Sequence, residues 1–407
     1  MSKLKELIQQ YCPDGVEYKT LGEIATDVFR GSGIKRDQVT EDGIPCVRYG
    51  EIYTTYGIWF DSCVSHTRLE YVQSPKYFSH GDILFAITGE SVEDIAKSCA
   101  YVGDDDCLAG GDIVVLKHNE NPKFLSYALA TEEARRQKSA GKVKSKVVHS
   151  SVPAIKAIRI PVPPLEVQSE IVRILDNFTE LTAELTAELT ARKKQYEFYR
   201  DKLLTFDNAK VPLLELRSVV KKSCSGSTPT KGNSEYYTNG TIPWIRTQDV
   251  RFNEITEVDS YITEKAVAET AAKWIPENCV IVAISGATAG RCAINKIKAT
   301  TNQHCLNLEI DETKALYKYI YYCVYNKYDE LISRKQGARG DLNSSLVLSL
   351  KIPVPSLEVQ KRLVYVLDNF DAICSDLKIG LPAEIEARKK QYEFYREKLL
   401  AFHEISN

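Results

Sequence analysis

IPVPPLEVQSEIVRILDNF at 160–178 returns as IPVPSLEVQKRLVYVLDNF at 352–370, with 13 of 19 positions identical at an offset of 192. Further on, ARKKQYEFYRDKLLTF at 191–206 returns as ARKKQYEFYREKLLAF at 387–402, with 14 of 16 identical at an offset of 196. Pro161, Pro163 and Pro164 cannot lie inside a helix, so the first copy predicts a helix starting near Leu165. Apolar residues then follow at Ile171, Ile174, Phe178, Leu181, Leu185, Leu189, Tyr196, Tyr199, Leu203 and Phe206. Steps of three and four residues are the signature of a coiled-coil seam. A stutter falls in TELTAELTAELTA at 179–191, where a TAEL tetrad is repeated in tandem. Continuous and straight, Leu165 to Phe206 would span about 63 Å. The second copy reads KIGLPAEIEARKK after Leu377, so Gly380 and Pro382 predict a break between two shorter helices. Neither copy can bury its apolar stripe alone, which favours packing of one on the other, antiparallel because a module separates them.

Outward from these repeats lie two stretches of similar length and different sequence. IPCVRYGEI at 44–52 matches IPWIRTQDV at 242–250 in order, and ILFAITG at 83–89 matches VIVAISG at 280–286. PKFLSYALATEEARRQKSAG at 122–141, read as a helix ending at Gly141, matches KYIYYCVYNKYDELISRKQG at 318–337. Short β-like runs bounded by turn residues, followed by a helix, predict one mixed α/β fold used twice. The expected architecture is α+β: two similar mixed α/β domains joined by two long antiparallel coiled-coil helices about a pseudo-twofold axis. Domain boundaries are expected at 1–159, 160–206, 207–351 and 352–407.

A composition of 43% hydrophobic and 27% charged residues is that of a soluble globular chain. No apolar run approaches the 18 or so residues of a membrane span, and MSKLKELIQQY lacks a signal core, so a cytoplasmic location is expected. The 11 cysteines form no CxxC pair and read as small buried thiols. Glycine-rich GATAGRC at 286–292 fails the phosphate-loop pattern at Arg291 and Cys292 and reads as a tight turn. GxGxxG, HExxH and GxSxG are absent, and the six histidines lack metal-ligand spacing, so no metal site and no catalytic residue is expected.

Binding remains. A net charge of −2 is awkward for a nucleic-acid partner, but local distribution sets the field at a surface. RRQKSAGKVKSK at 135–146 carries six positive charges and no negative one, and RKQGAR at 334–339 carries three at the matching place. Polar loop side chains able to meet base edges and phosphates are Lys35, Arg36, Arg48, Tyr49, Arg68, Thr88, Lys142, Lys144 and Lys146 in the first half. In the second half they are Thr228, Thr230, Lys231, Arg246, Thr247, Gln248, Arg291, Lys335 and Arg339. Arg48 and Arg246 match in position, and the residues after them differ. On the helices, Leu181, Leu185, Leu189, Tyr196, Tyr199, Tyr392 and Tyr395 are expected to serve the spacer or partners. Arg192, Lys193, Lys194, Tyr196, Tyr199 and Arg200 make a basic aromatic face.

With its two divergent modules, its repeated IPxP-PLEVQ and RKKQYEFYR helices and its TAEL spacer, the chain closely resembles the specificity subunit (HsdS) of type I restriction–modification systems. The likeness covers the whole length. It implies that each module is a target recognition domain reading one half of a bipartite double-stranded DNA sequence. It also implies that the helices set the gap between half-sites and dock two methyltransferase subunits, and that motor-nuclease subunits join them. S-adenosylmethionine, ATP and magnesium would belong to those partners, with no cofactor and no membrane contact in this chain. The rival from another class is a coiled-coil scaffold whose modules bind proteins.

Overall fold

The computed structural model describes residues 2–140, 147–207, 210–335, 341–376 and 378–405. The chain forms two compact units, one of residues 1–186 with 385–407 and the other of residues 187–384.

In the first unit a five-stranded sheet runs in the order Ala25–Arg30, Ile113–His118, Ile83–Ala86, Ser98–Tyr101, Trp59–Phe60. A second sheet runs Val39–Thr40, Ser65–Thr67, Ile44–Val47, Cys107–Ala109, Tyr77–Phe78. The other unit repeats the first sheet and, among its described residues, four strands of the second. Its first sheet is Val220–Ser225, Cys305–Ile310, Val280–Ala283, Cys292–Asn295, Glu254–Ile255. Its second is Tyr261–Ile262, Ile242–Ile245, Ala299–Thr301, Trp274–Ile275. Even the parallel edge pair recurs, Ala100 opposite Trp59 and Ile294 opposite Glu254. The expectation of one fold used twice therefore holds.

Strand alternation explains the continuous apolar runs in the centre of each first sheet. Ile83 and Phe85 face a core shared with the helices, whereas Leu84 and Ala86 face a second core between the sheets. Val280 and Val282 divide from Ile281 and Ala283 in the same way. A strand covered on both faces has no position where a polar residue can remain hydrated, so the sequence carries no polar alternation.

Helix Leu165–Leu203 starts where the prolines predict and runs unbroken through the TAEL tetrads. The second copy divides into Leu357–Ser375 and Leu381–Leu400, broken at Gly380 and Pro382 as expected. Each unit combines the PLEVQ half of one repeat with the RKKQYEFYR half of the other. Phe178 stacks on Tyr395 with ring centroids 5.3 Å apart in the first unit, and Phe370 stacks on Tyr199 at 5.8 Å in the second. In the second unit Lys193 lies by Cys374 while Tyr199 meets Phe370, so these two helices run antiparallel. Tyr196 is buried in that seam and Leu189 packs on the same core. Leu181 and Leu185 are half-buried.

The repeated glutamine is what attaches each helix to its sheets. Gln168 is fully buried; its Oε1 accepts the Asn121 N–H at 2.9 Å and its Nε2 donates to Pro163 O at 2.7 Å and Glu120 Oε2 at 2.6 Å. Gln360, also fully buried, accepts the Leu316 N–H at 2.9 Å and donates to Pro355 O at 2.8 Å. Asn121 and Leu316 are the residues preceding the helices Pro122–Leu129 and Tyr317–Asn326. Each glutamine thus takes up an amide at a helix N-terminus and holds its own proline turn. Two turns further along the repeat, Asp176 binds Lys123 Nζ at 2.8 Å and Tyr127 Oη at 2.7 Å. Asp368 binds Lys318 Nζ at 2.9 Å and Tyr322 Oη at 2.6 Å.

Two expectations are corrected. The single helix over 122–141 is two, Pro122–Leu129 and Glu132–Ser139, because Thr131 caps a new start by accepting the Ala134 N–H. Lys138, counted in the basic run, is buried, its ammonium bonded to Leu129 O at 2.8 Å and Ser98 Oγ at 3.1 Å. Burial pushes that ammonium down to about 7, so it adds little to a surface field. Among the described residues no helix is long and apolar enough to cross a membrane.

Because an unmade hydrogen bond to a buried group costs about 1–3 kcal/mol, Gln168→Ala should lower the stability of the first unit by that order. Gln360→Ala should do the same to the second. Hydrogen exchange measured by mass spectrometry on each variant should show faster exchange confined to its own unit.

Candidate nucleic-acid interface

The second, smaller sheet of each unit collects the polar residues singled out by sequence. In the first unit Gly31 crosses close to this sheet. A Cβ there would lie 2.2 Å from the Gly110 carbonyl oxygen, and Ser32 N donates to Ala109 O at 2.9 Å. In the second unit Gly226 makes the same approach, and Ser227 N donates to Thr301 O at 2.9 Å. Only glycine allows the chain to lie this close. The variable polar loop begins directly after each of these glycines.

Lys35 and Arg36 are exposed on the turn that leads into strand Val39–Thr40, and Gln38 Oε1 accepts the Lys35 N–H at 2.8 Å. Thr67 Oγ1 donates to Gln38 O at 2.8 Å, which joins that turn to strand Ser65–Thr67 and so to the exposed Arg68. Strand Ile44–Val47 lies next in the sheet and ends at Arg48, which opens the helix Tyr49–Thr54. Lys35, Arg36, Arg48, Tyr49 and Arg68 therefore come together on one sheet and its flanking turns.

Arg48 is held from behind. Its Nε lies 3.1 Å from Glu51 Oε1, and the buried Glu51 also accepts the Arg48 N–H at 3.0 Å and Ser65 Oγ–H at 2.7 Å. Tyr49 is exposed at the start of the helix, whereas Tyr53 one turn on donates from Oη to Ala86 O at 3.3 Å. Burial pushes the Tyr53 hydroxyl up to about 12, so it stays a neutral donor.

Thr88 departs from the expectation of an exposed contact. It is buried, with Oγ1 3.2 Å from His149 Nδ1, and its strand pairs with Val148–His149. Lys142, Lys144 and Lys146, like Arg339 in the other half, lie outside the described residues.

The second unit offers different groups at the same places. Thr228 Oγ1 hydrogen-bonds Gln303, while Thr230 and Lys231 are exposed on the same loop. Trp244 Nε1 donates to Ser227 O at 3.1 Å and fixes the loop to strand Ile242–Ile245. Arg246 then opens the turn Thr247–Asp249, with its N–H donating to Asp249 Oδ2 at 2.8 Å. Unlike Arg48, it leaves its buried Nε without a hydrogen-bond acceptor. Thr247 is half-buried and Gln248 exposed. Arg291 and Lys335 are half-buried, and Ser285 Oγ donates to Asp341 Oδ1 at 2.6 Å.

Sequence reading missed Gln303 and His304, which share this surface with Thr228. The matching residues of the first unit are Gly111 and Asp112, since the Ile87 and Ile284 amides donate to Asp112 O and His304 O at the same place, so only a comparison of the two halves could have found them. Two members of the basic aromatic helix face turn inward. Tyr196 is buried, and Arg200 turns inward, bonding Asn326 Oδ1 at 3.0 Å and lying over Tyr325 at 4.3 Å. Arg192, Lys193, Lys194 and Tyr199 stay exposed, and Phe198 and its counterpart Phe394, 61% and 60% exposed, also face outward, with Lys202 and Lys398 over their rings. Tyr392 is half-buried and packs 6.3 Å from Tyr127. Among the described residues no His, Cys, Asp and Glu cluster could hold a metal ion.

The profile of the type I restriction modification DNA specificity domain matches this chain twice, over residues 13–192 and 210–387. The chain therefore belongs to the family of type I restriction–modification DNA specificity proteins and carries two copies of the family's domain. Among its relatives is the Escherichia coli type I restriction enzyme EcoR124I/EcoR124II specificity subunit, 40% identical over 258 residues. That alignment spans 61% of this chain and 63% of the relative, a little under two thirds of its length. A putative type I restriction enzyme specificity subunit of Haemophilus influenzae is 33% identical over 279 residues, 65% of this chain and 68% of that one. In fold, the chain is similar to one solved in work on complex assembly and conformational transition of the type I R–M system. The two share a TM-score of 0.67 at 18% identity, with 95% of this chain and 98% of that chain covered. A type I S subunit from M. genitalium matches with a TM-score of 0.54 at 16% identity, over 95% and 96% of the two chains.

Arg246→Ala leaves no buried carboxylate stranded, whereas Arg48→Ala strips a partner from the buried Glu51. Arg48→Ala should therefore lower the thermal stability of the first unit, and Arg246→Ala should leave stability near wild type. Differential scanning calorimetry of the two variants checks this difference.

Proposed function

We propose that this chain is the DNA sequence-recognition subunit of a type I restriction–modification complex, each of its two recognition domains reading one half of a bipartite duplex target. The observation that carries the reading is one scaffold presented twice with different side chains at matching places. Arg48 and Tyr49 stand opposite Arg246, Thr247 and Gln248, and Lys35 and Arg36 opposite Thr228, Thr230 and Lys231. Arginine and glutamine can make paired hydrogen bonds to guanine and adenine edges, and lysines neutralise phosphates. Recognition domains at 1–159 and 207–351, with helical segments at 160–206 and 352–407, fit this division of labour. The chain reads DNA and leaves the chemistry to partners.

Those partners are two methyltransferase subunits and the motor-nuclease subunits, which carry S-adenosylmethionine, ATP and magnesium. The repeated outward Phe198 and Phe394 support two copies of one partner, because the same exposed apolar ring and the same lysine occur once in each unit. An adenine inside a duplex must leave the stack to reach a methyltransferase pocket, so the complex has to offset that cost.

Reconstituted with methyltransferase subunits, the chain should bind duplex DNA with an affinity that falls steeply with salt, as phosphate contacts demand. Sequencing that detects modified adenines should return one bipartite motif. Methylation with no shared motif would overturn the proposal.

The unbroken TAEL helix supports a ruler. Removing Thr186–Leu189 shortens it by about 6 Å, against a rise of roughly 3.4 Å per base pair. The methylation map of this variant should show both half-sites unchanged and the gap between them shorter by one or two base pairs.

A further inference from the structure

Thr301, Asn302, Gln303 and Asn307 are polar where the matching residues of the first unit are Ala109, Gly110, Gly111 and Val115. Backbone bonds fix the match: the Ser227 and Ser32 amides donate to Thr301 O and Ala109 O, and the Asn302 and Gly110 amides donate to Ile245 O and Val47 O. Thr301 and Asn307 are buried, and Asn307 Nδ2 donates to Thr301 Oγ1 at 2.7 Å and to Cys224 O at 3.1 Å. Asn302 is buried as well, its Oδ1 accepting the His304 N–H at 3.1 Å. The first unit builds the same strand and turn from alanine, valine and glycine, so the fold does not call for this network. It is costly too, because among the described residues the buried Asn307 Oδ1 has no hydrogen-bond partner. What the network does is hold the turn that carries Gln303 against strand Ile242–Ile245 and the loop after Gly226.

Gln303 is exposed, and its amide is gripped at both ends. Thr228 Oγ1 donates to Oε1, and Nε2 lies 3.2 Å from His304 Nε2, to which it donates when the ring is neutral with its proton on Nδ1. A glutamine amide has two lone pairs and two N–H bonds. The protein uses one of each, which leaves one donor and one acceptor side by side for a partner. Turning the amide over exchanges its ends, so either orientation offers the same pair. In the first unit Gly111 stands here, and a Cβ on it would meet Gly33 Cα at 3.0 Å, so that unit closes the place.

We propose that Gln303 is a specificity-determining residue of the second unit, reading one adenine of its half-site, with Thr228 and His304 positioning its amide. This rests on the DNA-reading function proposed above. A phosphate offers acceptors alone and would leave the outward lone pair facing negative charge. In the major groove guanine presents two acceptors, cytosine a donor and thymine an acceptor, whereas adenine presents its N6 donor beside its N7 acceptor. Only adenine satisfies both ends of the amide at once. The inward bonds hold the side chain in place before DNA arrives, which reduces the entropy lost on binding.

The full chain is reconstituted with methyltransferase subunits, and its methylation map supplies the wild-type motif. Gln303→Ala should leave one half-site and the gap unchanged and relax the other half-site at a single adenine. Binding is then measured by competition with duplexes of the wild-type motif in which each adenine in turn is replaced by 7-deazaadenine, which lacks the N7 acceptor. Gln303→Ala should weaken binding of the unmodified duplex roughly 10- to 100-fold. One 7-deazaadenine position should weaken wild type severalfold and cost the variant nothing. Thr228→Val should lose discrimination at the same adenine, by less than Gln303→Ala; thermal melts verify that both variants fold. A Gln303→Ala map identical to wild type, weakening that is equal on every sequence, or equal sensitivity of variant and wild type to every 7-deazaadenine duplex overturns the adenine reading and leaves the two-reader function standing. Wild-type methylation without a bipartite motif overturns that function and this inference with it.

Discussion

Each sheet pair is fastened to a helix by one buried glutamine and one aspartate that recur in both repeats. Gln168 and Gln360 satisfy an amide at the start of a packed helix, and Asp176 and Asp368 clasp a lysine and a tyrosine one turn apart on that same helix. These contacts are polar and fully directional, so they fix rotation and register where apolar packing alone would allow sliding. Leaving any of these groups unpaired in the interior is costly, which makes this arrangement the one low-energy way of setting the module on the helix.

Because the fastening is the same in both units, the rest of each module is free to differ. Trp59 lies under Lys123 in the first unit, where Glu254 pairs with Lys318 in the second. Arg48 is braced by Glu51 and Ser65, while Arg246 has only a backbone link to its aspartate. The loops after Gly31 and Gly226 leave the sheet at the same place with unrelated side chains. A constant attachment and a variable surface are what two readers of different sequences require.

Much of the fold was legible. Proline marked the start of the long helix, the Gly380–Pro382 break interrupted the second copy, and matched strand runs gave two domains of one fold, each for a local reason of backbone sterics or apolar period. The proposed binding surface was less legible. Lys35, Arg36, Arg48, Tyr49 and Arg68 are adjacent through strand pairing between distant segments. Thr88, Lys138, Tyr196 and Arg200 carry polar groups that looked available, and each is turned inward by a partner far away in sequence. Gln303 and His304 stood in a loop with no local mark to separate it from any other polar turn.

The sequence by itself determined that two divergent modules are joined by two copies of one helical segment, because repetition and helical period are properties of order along a chain. Which half of a repeat belongs to which unit was settled only in three dimensions. The PLEVQ half of the first copy packs with the RKKQYEFYR half of the second, and Phe178 meets Tyr395 as Phe370 meets Tyr199. The physical reason is that identical stripes can pair with themselves or each other equally well on paper. Only the buried glutamine and aspartate contacts, which need a particular module beside a particular helix half, remove that degeneracy.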